Sequence, residues 1–161
     1  MPRLLPPILD SMFLPLAELC AACQDGDVVR LDEAFICVDE PDGRDIRARA
    51  LRSSLPRVPA VRHLIATGPS AAWIHGAIDQ APWQHELSVR ADERATVRLP
   101  PRFRQRELLL RDEDEMLIAG MRVTTVDRTL RDLSRQGSRS PTFTHMAQLR
   151  ERLIEEGVTR R

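Results

Sequence analysis

The apolar residues of this chain change their spacing twice, and that change limits the fold more than any other feature. Residues 10–24, DSMFLPLAELCAACQ, carry apolar side chains at helical intervals, with Asp10 or Ser11 as a cap and Pro15 suited to a first turn. From Glu86 the period falls to two, so that 86–90, 95–99 and 106–111 read as strands. After Thr124 the helical spacing returns. Val126, Leu130 and Leu133 share one face, and Met146, Leu149, Leu153 and Ile154 form a stripe on a last helix opened by Pro141. The pattern predicts an α+β fold: a short N-terminal helix plus β-hairpin, like a degenerate winged helix, then a small mixed or antiparallel sheet with packed helices.

Turn residues set the boundaries. Asp25-Gly26-Asp27 ends the first helix, and 28–31 with 35–38 form a hairpin turning at Asp32-Glu33. Pro41-Asp42-Gly43 is a strong turn before a helix at 44–54, whose apolar positions are Ile46, Ala50 and Leu51. Pro56 and Pro59 end it; a short strand at 63–66 and a helix at 71–76 follow. Ala119-Gly120 reads as a hairpin turn between 116–118 and 121–124. The chain divides into residues 1–59, winged-helix-like, and 60–161, an α/β domain with a C-terminal helix. Roughly ten residues precede the first helix, too few for a full three-helix DNA reader.

Of 161 residues, 24 are basic and 24 acidic, and every basic residue is arginine. The neutral sum excludes a uniformly basic binder and an acidic disordered tail. It also conceals segregation. Residues 1–43 carry nine acids and two arginines, residues 44–62 six arginines and one acid, and residues 90–111 seven arginines and three acids. Clustered cations are what a phosphate backbone requires. Arg44, Arg47, Arg49 and Arg52 on one helix, and Arg102, Arg104 and Arg106 on an extended stretch, are the candidate DNA-binding residues. The competing reading is a solvated face of intramolecular arginine–carboxylate pairs. Aromatic residues are 4%, with no tyrosine, which disfavours a single-strand binder built on stacking.

Catalytic and metal chemistry leave little trace. The glycines form no phosphate-cradling loop, and the lack of lysine removes the usual carboxylate–lysine nuclease core. His63, His75, His85 and His145 fall on four different elements, so no catalytic set converges. Cys20 and Cys23 continue the stripe of Leu16 and Leu19, which predicts core packing in place of a zinc half-site. Asp112-Glu113-Asp114-Glu115 reads as a charged turn. No catalytic residue, metal or cofactor is expected. No apolar run is long enough to span a membrane, and an odd cysteine count without a leader pattern predicts a cytoplasmic protein.

Two segments carry a family resemblance. Thr67 to Gly76, TGPSAAWIHG, contains Ser70, Trp73 and Gly76; Gly120 to Leu133, GMRVTTVDRTLRDL, contains Thr124, Thr125, Arg128 and Asp132. The pair, with strands between, resembles the AbiEi-like antitoxin and transcriptional-regulator family of type IV toxin–antitoxin systems, widespread in actinobacteria. The resemblance covers about residues 13–137. It implies a non-enzymatic regulator with an N-terminal winged helix that binds promoter DNA. It also implies an α/β domain that neutralises a nucleotidyltransferase-like toxin. The alternative is a protein-interaction module without DNA binding. The family motifs also have a structural reading: a threonine caps a helix, Arg128 and Asp132 pair four residues apart, and Trp73 belongs to the core.

Overall fold

The computed structural model describes residues 6–93, 95, 97–137 and 141–155. It is an α+β fold with a two-stranded and a five-stranded sheet. Helix α1 (Leu16–Asp25) starts after Pro15 and stops at Gly26, whose left-handed φ of 84° lets its N–H and that of Asp27 close on the last carbonyls. Strands β1 (Val28–Leu31) and β2 (Ala34–Cys37) pair antiparallel. Asp32 turns the hairpin at φ 56°, a conformation aspartate tolerates better than most residues. Leu9 bridges to Phe35, and Leu19 of α1 packs on Val28 and Phe35, so strap, helix and hairpin share a small core.

Helix α2 (Arg44–Ser53) follows, then a 3-10 turn at Pro59–His63, β3 (Ile65–Ala66) and α3 (Gly68–Ile74). Strands β4 (His85–Arg90), β5 (Phe103–Leu108), β6 (Glu115–Ile118) and β7 (Met121–Thr124) complete the sheet in the order β5-β4-β3-β7-β6. β4 pairs parallel with β5 and β3 parallel with β7, while β3–β4 and β6–β7 are antiparallel. Helices α4 (Val126–Gly137) and α5 (Pro141–Glu155) pack on α3 through Ala72, Leu133 and Met146. The central core joins Ala48, Ala50 and Leu51 of α2 to Trp73 of α3 and Leu87, Val89 and Val123 of the sheet. α2, grouped with the N-terminal unit on sequence, therefore packs inside the main core. Among the described residues no helix is long and apolar enough to cross a membrane.

Several expectations need correction. The strand at 95–99 is not formed by its described residues. Because β4 and β5 run parallel, the chain between them must cross back, and this segment is that crossover, anchored by buried Val97. β5 accordingly begins at Phe103, three residues before the expected start at 106, where its ladder to β4 opens at His85. Helix α3 starts at Gly68, earlier than 71. Cys20 is exposed, because only Leu19 of α1 reaches the core; Cys23 and Cys37 pack at the core margin. Ile154 also faces outward on α5, whereas Met146 is fully buried.

Candidate functional site

The hairpin that would be the wing is fastened to the main domain by its tip. The Asp32 side chain is fully buried and accepts hydrogen bonds from His85 Nε2, at 3.0 Å, and from Arg102. His85 Nδ1 lies 3.0 Å from Ser70 Oγ, which in turn accepts the Glu86 N–H at 2.8 Å. With Nε2–H donating to Asp32, Nδ1 accepts from Ser70, and each group is satisfied. Burial would raise the Asp32 pKa, but the bonds from His85 and Arg102 outweigh it and hold the carboxyl below its ordinary range. A serine–histidine–aspartate row invites comparison with hydrolase triads. Here Ser70, His85 and the Asp32 side chain are sealed from solvent, so the row joins two parts of the fold. This contact is not legible in the sequence, since 53 residues separate Asp32 from His85.

The family-motif residues are structural in their placement. Thr125 Oγ1 caps α4 by accepting the Arg128 N–H at 3.3 Å, and Thr124 Oγ1 meets Thr129 Oγ1 at 2.8 Å. Arg128 binds Asp132 at 2.9 Å, Asp114 at 2.8 Å and the Leu109 carbonyl at 3.0 Å, tying α4 to the turn before β6. Burial opposes ionisation of Asp114, but the Arg111 N–H, Arg128 and Arg131 keep its pKa low. The four-acid run is a 3-10 turn plus the start of β6, and its acids pair with Arg90, Arg111, Arg128, Arg131 and Arg122. Among the described residues no group of three or more histidines, cysteines and acids is placed to hold a metal ion. Trp73 is fully buried, 5.7 Å from the Arg47 guanidinium, and Gly76 takes a left-handed turn at the end of α3.

Structure separates the seven candidate DNA-binding arginines. Arg47 is 6% exposed. It binds Asp42 through two hydrogen bonds, at 2.6 and 2.7 Å, and donates to the carbonyls of Trp73 and Ile78 at 2.8 Å. A phosphate cannot reach it, so its assignment as a DNA contact is corrected: it is a core tie between α2 and the segment after α3. Arg102 is engaged by Asp32 and Glu33, and Arg106 lies 3.4 Å from Glu86, which breaks up the second patch; of its three arginines, Arg104 alone is exposed with no partner among the described residues. Arg44 is exposed, 3.8 Å from Asp45. Arg49 and Arg52 point outward from α2. Arg47→Ala should therefore lower the unfolding free energy by about 3 kcal/mol, because Asp42 and two carbonyls lose a buried donor. Arg49→Ala should change it by less than about 0.5 kcal/mol. Thermal unfolding of both variants checks this, and equal effects would contradict it.

Arg49 and Arg52 instead border a groove of about 800 Å³. Three segments build it: residues 6–10, α2 with the chain to Leu64, and the β6–β7 turn. Ile8, Leu55, Val58, Val61, Leu64 and Met121 give it an apolar lining, and Arg49, Arg52, Arg57, Arg62 and Arg122 surround it, with Asp10 as the acid among its lining residues. Arg122 is neutralised by Glu93 at 2.9 Å and Glu115 at 2.7 Å. The Arg122 hydrogen bond, stronger than the effect of burial, depresses the Glu93 pKa, and Glu93 also bonds His63 Nδ1 at 3.0 Å. Arg62 Nε donates to His63 Nε2 at 3.0 Å, so the rim is braced from behind. Arg57 meets Asp10 at a loose 3.6 Å, and Arg52 donates to the Gly120 carbonyl. Gly120 takes a left-handed φ of 85° at this turn, a conformation that favours glycine. The sequence signal for this site was the arginine excess at 44–62; Arg57 and Arg62 belong to it, whereas Arg47 does not.

Comparison with known proteins yields no matching family model and no matching curated protein.

Proposed function

We propose that this chain is a non-enzymatic, antitoxin-like regulator that acts by contact with another protein, holding an acidic, apolar-patterned segment in the arginine-rimmed groove. The observation that carries the reading is the apolar lining beneath four outward guanidiniums. An amphipathic acidic segment satisfies both: its apolar side chains leave water against the lining, and its carboxylates take the forked donors. Duplex DNA satisfies only the second, since its backbone is polar throughout. The wing tip, which a winged helix would extend towards DNA, is buried at Asp32, and the surrounding N-terminal residues are acidic.

A second reading, binding of promoter DNA, is favoured by one observation: Arg49, Arg52, Arg57 and Arg62 share a single mouth. Fluorescence anisotropy separates the two. The probes are a labelled helical peptide with glutamate and leucine on opposite edges and a labelled duplex from the upstream region of the gene. The expected result is micromolar peptide binding, weakened about tenfold by Arg49→Glu and only partly reduced by salt. A duplex bound in preference to a scrambled one would establish the DNA reading instead. Its salt slope should then fall by about one unit for each of Arg49 and Arg62 removed.

A further inference from the structure

We propose that the segment this groove receives is the α1 region, residues 12–25, of a second copy of the chain, giving a two-fold dimer. The inference rests on the groove taking an acidic, apolar segment, and it names that segment.

α1 is an apolar helix left mostly bare. It buries only Leu19, while Leu16 is 61% exposed and the turn before it presents Met12 at 70% and Phe13 at 46%. Such a cluster on a small domain marks a contact surface. Its charge is of one sign: Glu18, Asp25 and Asp27 flank it, within a stretch of nine acids and two arginines. The groove has the opposite character on the same apolar background. Leu19 pins α1 to its own hairpin, so the bare face is directed away from the core it belongs to.

The arrangement of the two surfaces selects a second copy over an unrelated acidic protein. The strap that lines the groove at Ile8 and Asp10 runs directly into α1, and Asp10 already touches Arg57. The acidic apolar face and the basic apolar groove are therefore neighbours on one molecule. About a two-fold axis, neighbouring patches meet crosswise, each copy's α1 against the other's groove. Opposite charges then face each other in both contacts, and one interface closes both. α1 spans ten residues, or about 15 Å.

Sedimentation equilibrium of the full chain across a micromolar concentration range tests this, with two variants at exposed positions. Leu16→Glu spoils the inserted face and leaves the groove intact; Arg49→Glu combined with Arg62→Glu spoils the groove and leaves α1 intact. The expected result is a wild-type dimer, two monomeric variants, and a heterodimer when the variants are mixed, because one of the two crosswise contacts survives in the mixture. A monomeric wild type, or a dimer indifferent to Leu16→Glu, overturns the proposal. The glutamate–leucine peptide separates its failure from that of the groove reading. Peptide bound by a monomeric chain leaves the groove as a site for some other acidic protein, and peptide unbound by a monomeric chain ends both.

Discussion

Replacing Asp32 with alanine should destabilise the protein by about 3–5 kcal/mol, among the largest effects of any single substitution in the chain. The side chain is fully buried between His85 and Arg102, and its removal leaves the buried His85 Nε2 without its acceptor and Arg102 with only Glu33 and the Trp83 carbonyl. Loss of one member of a buried charged cluster costs more than the cluster contributes, because the survivors remain desolvated. Chemical denaturation of wild type and Asp32→Ala measures the difference. A change below about 1 kcal/mol would show that the hairpin tip is not held. The same contact gives a pH dependence. The Asp32 pKa is lowered on folding from its ordinary 3.8, so its stabilisation is fully present above that value and disappears as pH falls through the lower folded value. His75 adds a component at higher pH. Burial, opposed by its bond to the Thr124 carbonyl and assisted by Arg44, lowers its pKa from 6.5, so stability declines as pH drops below 6.5. Acid melting curves should show the His75 loss in wild type and Asp32→Ala alike, and the Asp32 loss in wild type alone.

Trp73→Ala should cost a comparable amount, about 3–5 kcal/mol. The indole is fully buried in the central core, beside His85 at 5.7 Å and under the Arg47 guanidinium at 5.7 Å. Truncation opens a cavity where α2, α3 and the sheet meet. Trp73→Phe should cost much less, for a reason beyond size. The Trp73 indole N–H has no hydrogen-bond partner among the described residues, and phenylalanine removes that buried donor. Equal losses for the two variants would mean that the indole N–H is satisfied. An unchanged melting temperature for Trp73→Ala would place the side chain outside the core.

What the sequence discloses here is what neighbouring residues decide between themselves. Gly26 stops α1, Ala119-Gly120 turns β6 into β7, and Thr125 caps α4; each signal lies within a few residues of the feature it produces. The Arg128–Asp132 pair, four apart, is legible for the same reason. Arg47 was legible in part. It sits three residues before Ala50 and four before Leu51, on the inward face, but the groups that make an inward arginine tolerable include the Trp73 and Ile78 carbonyls, far along the chain. Without them, a helical arginine reads as a surface cation. Asp32 reads as a turn residue until His85 and Arg102 are brought to it. The crossover at 95–99 alternates like a strand, and only the parallel pairing of β4 with β5 gives it another task. The groove is the extreme case, since three separate segments contribute to it and none alone has its character.

Nitrogen–proton correlation spectra of the labelled protein, titrated with the glutamate–leucine peptide, report whether this groove takes an acidic, apolar segment. Shifts should concentrate at Arg49, Arg52, Val58, Arg62 and Gly120, at the groove's rim and lining. Shifts gathered at exposed Trp83 and Arg104, or none at saturating peptide, would contradict it.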